Sequence, residues 1–301
     1  MKLAAIDIGS NAVRLLITDV FLNAGRKPEF IKSNLIRVPL RLGFDVFETG
    51  EISKEKENSL LETIKAYKHL LNAYEVTHLR ACATSAMRDA KNSKAIIERI
   101  RKTTNVEIEI ISGDLEASLI YETHIAEGLE KDVLYIYADV GGGSTELTFY
   151  LNNKLLHKQS FDIGTIRILK QKVVEAHWEE MKNVIRTQTK DIKKVMAIGS
   201  GGNINKIFSL SKKKEGKPLT LALLRDYYKE LSNLSLTERM SLFNMREDRA
   251  DVIVPALLIY INVLKWANTE EILVPKIGLA DGLIHSMYEA LVEKQTLSTK
   301  N

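Results

Sequence analysis

The chain has 301 residues, of which 45% are apolar and 27% charged, a composition typical of folded globular proteins that excludes wholesale disorder. Its net charge of +4 is too small to indicate a nucleic-acid partner by itself. The first 150 residues carry 19 basic and 22 acidic side chains and the rest carry 24 and 17, so a polyanion would favour the second half, although a solvated basic surface explains this excess more simply.

Strand-length apolar runs alternate with helical patterns in the first half of the chain. Ser53 predicts the start of a helix, because its hydroxyl can cap the helix and leucines and isoleucines follow it at helical spacing. The sequence predicts strands at Leu3–Asp7, Arg14–Val20, Phe30–Pro39, His78–Ala83 and Val106–Ile111, and helices from Ser53, over most of Ser85–Lys102 and over Asp114–Glu127. This order indicates an α/β domain with a mixed sheet.

The pattern then restarts in the second half. Strands are predicted at Val133–Val140, Thr145–Leu151, Lys154–Asp162 and Val195–Ile198, with helices over Glu175–Lys190 and most of the remainder. The restart is a weak internal repeat, in which a strand, an Asp, a glycine turn with a hydroxyl and a second strand follow one another. We therefore expect two α/β domains, residues 1–128 and 129–301, the second with added helices, and a cleft between the two matching turns.

The cysteine count and the apolar runs bear on where the protein acts. The single cysteine, Cys82, excludes an internal disulfide and a cysteine-based zinc site. Asp7 falls where a signal peptide would need its apolar core. The longest apolar stretch, Val252–Leu264, is shorter than the roughly 20 residues that span a bilayer. We expect a soluble cytoplasmic protein with neither a membrane nor a nucleic-acid partner.

Glycine turns after apolar strands are candidate anion sites, because their successive backbone N–H groups can converge on a phosphate. The candidate phosphate ligands are Gly9, Ser10 and Asn11 in the first turn, Gly141, Gly142, Gly143, Ser144 and Thr145 in the second, and Gly201 in a third turn, Gly199–Asn203. Taken alone, the first turn is explained more simply as a tight hairpin turn, whereas the triple glycine with its Ser and Thr is more specific for an anion. A helix entry explains the third turn equally well. None of them has the lysine of a P-loop.

Asp7 and Asp139 each end an apolar strand at the mouth of such a turn. A carboxylate beside a phosphate site is electrostatically unfavourable unless Mg²⁺ lies between them. Glu146 could join the same metal site or alternate outward on its strand. The alternative for each Asp is a hydrogen bond to its own turn. The sequence thus makes Asp7, Asp139 and Glu146 candidate ligands of Mg²⁺.

These motifs resemble a known family. The two Asp-glycine turns resemble the phosphate motifs of the actin, sugar-kinase and heat-shock-ATPase superfamily. Further matches narrow the resemblance to the exopolyphosphatase/guanosine pentaphosphate phosphohydrolase (Ppx/GppA) family, and they are Ala83–Ala90, Ile111–Ala117, Gly199–Asn203 and Arg249–Ile253. The resemblance implies two ribonuclease-H-like (actin-like ATPase) domains, Mg²⁺ dependence and release of terminal orthophosphate from inorganic polyphosphate.

Two catalytic residues follow from the same resemblance. Glu116 matches the family's catalytic glutamate, and Arg88 matches its phosphate-contacting arginine. Hydrolysis of a phosphoanhydride needs an in-line water and neutralisation of the phosphate oxygens, which suits these two side chains. Without the resemblance, Glu116 would be interpreted as a carboxylate favoured by a helix N-terminus and Arg88 as a surface ion-pair partner.

Some positions depart from the family pattern. Ala12 stands where the family usually has Ser, and Ala280 where it often has Arg, which puts long-chain binding in question. Longer members append a helical domain after about this length, so the resemblance is to the short two-domain form. We expect that form to prefer shorter polyphosphates as substrates. The alternatives are a guanosine pentaphosphate (pppGpp) phosphohydrolase, a catalytically weak polyphosphate or alarmone sensor, and a kinase or ATPase of the superfamily. The apolar closing helices also allow a homodimer.

Overall fold

The structure is a computed structural model that describes residues 1–22, 27–121, 130–152, 154–275 and 277–298. The chain divides into two compact units, Met1–Thr123 with Leu279–Asn301, and His124–Gly278. Each unit is a mixed β-sheet with packed helices, which confirms the predicted α/β class and its two sheets. The predicted domain boundary after residue 128 lies outside the described residues.

The first unit is built on five strands in the order β3-β2-β1-β4-β5. The strands are β1 (Lys2–Ile8), β2 (Val13–Phe21), β3 (Glu29–Val38), β4 (His78–Ala83) and β5 (Ile108–Ile110). The helices are α1 (Leu42–Thr49), α2 (Lys54–Ala73), α3 (Ser85–Asp89), α4 (Ser93–Thr104) and α5 (Gly113–Tyr121). Strands β1, β2 and β3 form an antiparallel meander, whereas β1, β4 and β5 run parallel.

The helix predicted from Ser53 is present, and the Ser53 hydroxyl accepts a hydrogen bond from the backbone N–H of Lys56. Helix α1 was not predicted, because it begins after Arg41, whose φ of 55° is left-handed and whose side chain makes no cap hydrogen bond. The helical stretch predicted over Ser85–Lys102 is two helices, since Ala90 adopts an extended conformation and ends α3. The predicted end of the helix at Glu127 lies outside the described residues.

The last helix, α13 (Leu279–Ser298), belongs to the first unit, whereas we had predicted it in the second domain, residues 129–301. It packs against β1 and β2. The physical reason is its apolar face, which joins a buried cluster with the first sheet, formed by Leu3, Ala5, Leu16, Val20, Cys82, Ile111, Leu119, Leu279, Ala280, Leu283 and Ile284. Ala280, one of the departures from the family pattern, is therefore a core residue of this unit.

The second unit is built on six strands in the order β10-β11-β9-β6-β7-β8. The strands are β6 (Leu134–Val140), β7 (Thr145–Leu151), β8 (Lys154–Phe161), β9 (Val195–Ser200), β10 (Leu219–Thr220) and β11 (Glu271–Leu273). The helices are α6 (Thr165–Leu169), α7 (Glu175–Thr189), α8 (Gly202–Ser211), α9 (Leu221–Ser232), α10 (Leu236–Leu242), α11 (Glu247–Ala250) and α12 (Ile253–Trp266). The sequence did not predict β10 and β11, which are too short to leave an alternating pattern.

Helix α12 lies in the core of the second unit. Its residues Ile253, Leu257, Tyr260 and Leu264 are buried in the same cluster as Ile136 of β6. Among the described helices, none combines the length and the apolar character needed to cross a bilayer. The apolar run that the sequence showed at Val252–Leu264 is therefore core helix.

An ion pair joins α1 to the start of α2. Asp45 accepts hydrogen bonds from Lys56 Nζ (2.5 Å) and from the Ser53 N–H (3.0 Å). Partial burial opposes ionisation, but these hydrogen bonds outweigh it and lower the pKa of Asp45 below its ordinary 3.8. Because the folded-state pKa is the lower one, the stabilisation is complete above the unfolded pKa and disappears as the pH falls through the folded value.

Asp45→Asn is accordingly expected to lower the free energy of unfolding at pH 7 by about 1 kcal/mol, since the pair is partly exposed. Urea denaturation of the wild type and the variant at pH 7 and pH 2 measures this difference. The difference should be largest at pH 7 and shrink at pH 2. A loss of equal size at both pH values would contradict the role assigned to the carboxylate.

Candidate functional site

The first phosphate turn connects β1 to β2. The Gly9 N–H donates to the Ala12 carbonyl (3.1 Å), which closes the turn. The Ser10 hydroxyl lies 2.7 Å from the Ser85 hydroxyl at the start of α3, and both side chains are buried. The turn is thereby tied to a second motif of the family pattern, Ala83–Ala90.

The beginning of α1 holds the same turn from the other side. The Gly43 N–H donates to the Ser10 carbonyl (2.8 Å), and the Arg41 N–H donates to the Asn11 carbonyl (3.0 Å). A Cβ at Gly43 would lie 3.0 Å from the Ser10 Cβ and 2.7 Å from Phe47 Cε2, so the close approach favours glycine. With these two carbonyls bound by α1, the backbone of the turn is fixed in one conformation.

Asp7 pairs with an arginine in this structure. The residue directly opposite it on β2 is Arg14, and Arg14 Nη1 lies 2.6 Å from Asp7 Oδ2. Asp7 is only 4% exposed, so the guanidinium compensates a buried charge. The predicted role of Asp7 as a metal ligand remains a prediction, and in the state described here its carboxylate is neutralised by a side chain.

Glu116 and Arg88 lie together in the first unit. Glu116 is in the first turns of α5 and is 7% exposed. Arg88, at the end of α3, donates to the Ile111 carbonyl (2.9 Å), and the same nitrogen lies 3.9 Å from Glu116 Oε2. An arginine and a nearly buried carboxylate are thus held as a pair, and their roles as phosphate contact and general base remain predictions.

The parallel strands explain why these motifs meet. Ile8 at the end of β1 lies opposite Ala83 of β4, and Ala83 lies opposite Ile110 of β5. The carboxyl ends of the three strands therefore share one edge of the sheet. The first turn, α3 with Arg88 and α5 with Glu116 all begin at that edge, which is where open α/β sheets bind ligands.

The second phosphate turn connects β6 to β7 and is held by the segment that follows β8. The Gly141 N–H donates to the Ser144 carbonyl (2.9 Å), the Ile166 N–H to the Gly142 carbonyl (2.8 Å) and Arg167 Nε to the Gly143 carbonyl (2.6 Å). The carbonyls of both glycines are therefore bound by α6. This arrangement parallels the first turn, whose carbonyls are bound by α1.

The side chains of the second turn are enclosed. Thr145 is fully buried, and its hydroxyl donates to the Ile163 carbonyl (2.5 Å). Ser144 is also buried. Both were predicted as phosphate ligands, and that role remains a prediction. In the structure described here the Thr145 hydroxyl fixes the turn to the chain after β8.

Asp139 and Glu146 form the strongest candidate for a metal site in the second unit. They lie directly opposite each other on β6 and β7, with carboxylate oxygens within 4.8 Å. Glu146 is 2% exposed, and its Oε1 accepts a hydrogen bond from the Ser160 hydroxyl (2.8 Å). Two like charges this close repel unless a cation or a proton compensates them. Carboxylate oxygens are the ligands that Mg²⁺ prefers, so these two residues fit the ion.

The third glycine turn lies beside this pair, because β9 runs parallel to β6 and Ser200 lies opposite Asp139. The Ser200 hydroxyl donates to Asp139 Oδ1 (2.7 Å). Gly201 has a φ of 107°, and a Cβ there would lie 3.1 Å from the Val140 carbonyl oxygen. Glycine is required at position 201 for both reasons.

Residues 35–291 match the Ppx/GppA phosphatase family. The chain belongs to this family. The match covers most of the chain and includes Arg88, Glu116, both Asp139 and Glu146, and the third glycine turn. It confirms the family that the motifs predicted and identifies the chain as an enzyme, a phosphoanhydride hydrolase.

Individual relatives agree with this assignment. Exopolyphosphatase 1 of Mycobacterium tuberculosis is 24% identical over 99% of this chain and 93% of its own length. A crystal structure of an exopolyphosphatase from Cytophaga hutchinsonii is similar, with a TM-score of 0.80 and 27% identity over 96% of this chain and 98% of that one. A bifunctional 3-dehydroquinate synthase/phosphatase of Fusobacterium nucleatum is 29% identical over 97% of this chain, which spans 47% of that protein.

Several residues that hold the turns were not predicted from the sequence. They are Arg41 and Gly43 at the start of α1, Ser85 at the start of α3, Gly164 and Arg167 around the start of α6, and Ser200 at the end of β9. A signal existed for Ser85 and Ser200, because both lie inside motifs of the family pattern. No local sequence pattern predicts the roles of Arg41, Gly43, Gly164 and Arg167, because their partners lie more than 20 residues away in the sequence.

Proposed function

We propose that the protein is a Mg²⁺-dependent exopolyphosphatase of the cytoplasm that releases terminal orthophosphate from inorganic polyphosphate. The observation that carries the substrate is the match with relatives named exopolyphosphatases over nearly the whole of both chains. The chain has a single cysteine, Cys82, and so no internal disulfide, which agrees with a reducing compartment. A homodimer stays a prediction.

In this proposal the two glycine turns bind the phosphate groups of the substrate. The turns carry Gly9, Ser10 and Asn11 in the first unit and Gly141, Gly142, Gly143, Ser144 and Thr145 in the second, with Gly201 added by the third turn. Both main turns have their carbonyls held by a following helix, α1 or α6. Fixed carbonyls keep the backbone from rearranging. The turn N–H groups other than those of Gly9 and Gly141, which donate to Ala12 and Ser144, would therefore be preorganised for an anion.

Asp139 and Glu146 would hold Mg²⁺ in this proposal. The ion, when bound, neutralises charge on the phosphate oxygens of the leaving chain. The support is the close approach of the two carboxylates, whose oxygens lie within 4.8 Å of one another and are of the ligand type that Mg²⁺ prefers. The role of Asp7 as a Mg²⁺ ligand stays a prediction, since its Oδ2 is paired with Arg14.

Glu116 would accept the proton of the attacking water. The water oxygen bonds to the terminal phosphorus while the bridging P–O bond breaks, and the electron pair leaves on the end of the shortened chain. Arg88 would bind the equatorial oxygens of the terminal phosphate, where its guanidinium is also close enough to orient Glu116. Each side chain thus has one task that its geometry supports.

Phosphate release from a substrate panel tests the proposal. The purified chain is incubated with polyphosphates of several lengths, guanosine pentaphosphate and ATP, with Mg²⁺ and with EDTA. We expect Mg²⁺-dependent orthophosphate release that is fastest with polyphosphate. Faster release from guanosine pentaphosphate would select the alarmone phosphohydrolase, binding without release the sensor, and ATP turnover a superfamily ATPase.

A further inference from the structure

The carboxylate of Asp139 is fixed by a neighbour that is not itself a ligand candidate. Ser200 ends β9 directly opposite Asp139, and its hydroxyl donates to Asp139 Oδ1 at 2.7 Å. Ser200 is 3% exposed, so water cannot easily replace this hydrogen bond. This hydrogen bond to Oδ1 restricts the Asp139 side chain to one orientation.

Ser200 is itself held by a residue from the core of the unit. The Tyr260 hydroxyl, on α12, donates to the Ser200 carbonyl. Tyr260 is only 1% exposed, so water cannot easily replace this hydrogen bond. Gly201 completes the arrangement, since a Cβ there would lie 3.3 Å from Asp139 Oδ1.

We infer that Ser200, anchored by Tyr260, is a positioning residue that orients the Asp139 carboxylate for Mg²⁺. The inference rests on the metal site of the proposed function and deepens it. The hydrogen bond to Oδ1 restricts the rotation of the carboxylate, so less rotational freedom would be lost when the cation binds. Tyr260 acts one step further away by keeping the Ser200 backbone in place.

The expected size of the effect follows from other metal proteins. Removal of a hydrogen bond to a ligating carboxylate lowers metal affinity about 10- to 100-fold. We expect Ser200→Ala to be at the lower end, about tenfold, because Glu146 remains. Tyr260→Phe should change affinity in the same direction but by less, about threefold, since the Tyr260 hydroxyl bonds to the backbone of Ser200 rather than to the carboxylate.

Metal binding by the resting enzyme tests the inference without relying on turnover. Mn²⁺ replaces Mg²⁺ as the probe, and electron paramagnetic resonance measures the free ion in titrations of the full chain. The variants are Ser200→Ala, Ser200→Thr, which keeps the hydroxyl, and Tyr260→Phe. The matched control is Ser211→Ala at the end of α8, whose hydroxyl donates to the Phe208 carbonyl and accepts from the Lys213 N–H. A second readout compares the Mg²⁺ concentration at half-maximal phosphate release with the KM for polyphosphate.

For Ser200→Ala we expect a weaker Mn²⁺ affinity and a higher half-saturating Mg²⁺ concentration. Tyr260→Phe should show an intermediate effect. Ser200→Thr and Ser211→Ala should give values near those of the wild type. The KM for polyphosphate at saturating Mg²⁺ should stay constant. If Ser200→Ala fails to fold, Tyr260→Phe carries the same test. Unchanged affinity in both variants would overturn the inference, whereas a wild type that binds no Mn²⁺ would overturn the proposed metal site itself.

Discussion

Replacing Glu116 with Gln is expected to lower kcat for phosphate release about a thousandfold, which is the size of a general-base contribution. Glutamine keeps the shape of the side chain but cannot accept a proton from water. Because Arg88 stays in place and the phosphate turns are untouched, the KM for polyphosphate should change by less than about threefold. The split between kcat and KM distinguishes a base from a residue that only binds substrate.

The control for this variant is Asp114→Asn. Asp114 is also in the first turn of α5 but is exposed, so its loss should leave kcat within about twofold of the wild type. Steady-state kinetics of both variants under saturating Mg²⁺ measures the difference. A Glu116→Gln enzyme that retains full turnover would rule out the role assigned to this carboxylate.

The second large effect is expected at Gly164, which supports the second phosphate turn. A Cβ there would lie less than 3.0 Å from the Gly142 carbonyl oxygen and the Gly143 carbonyl carbon, both of which are backbone atoms. Its own φ of −138° suits any residue, so the strain is purely steric. Gly164→Ala is expected to destabilise the fold by about 3 kcal/mol and to reduce phosphate release sharply, because the turn must shift.

Gly278→Ala is the matched control, since a Cβ there would meet no atom within 4 Å. Urea denaturation should give a large loss of stability for Gly164→Ala and less than about 0.5 kcal/mol for Gly278→Ala. Equal stability of the two variants would mean that the Gly142–Gly143 backbone adapts at no cost, contrary to the close packing described for this turn.

Much of the fold could be predicted because its two sheets begin with the same sequence pattern. The strand, Asp, glycine turn and second strand recur, and the structure places them as β1–β2 and β6–β7. What could not be predicted depends on tertiary contacts. Helix α13 joins the first sheet through an apolar face that the second unit could equally have buried, and α1 starts at a left-handed arginine without a capping side chain.

The site was partly readable from the sequence. The roles of Glu116 and Arg88 needed the family resemblance, because a carboxylate near a helix N-terminus is common without function. In contrast, the different charge environments of Asp7 and Asp139 could be predicted by comparing the two halves of the internal repeat. The residues opposite the aspartates at equivalent hairpin positions are Arg14 and Glu146, so one pair is neutral and the other is doubly negative. Only the second pair brings together two carboxylates, the ligand type that Mg²⁺ prefers.

The most direct test of the central claim is hydrolysis of polyphosphate in ¹⁸O-labelled water with Mg²⁺, followed by mass spectrometry of the products. Attack of water on the terminal phosphorus predicts one ¹⁸O atom in each released orthophosphate and none in the shortened chain. The Glu116→Gln enzyme should give the same labelling at a greatly reduced rate. Label in the shortened chain, or no released orthophosphate, would contradict the proposed exopolyphosphatase.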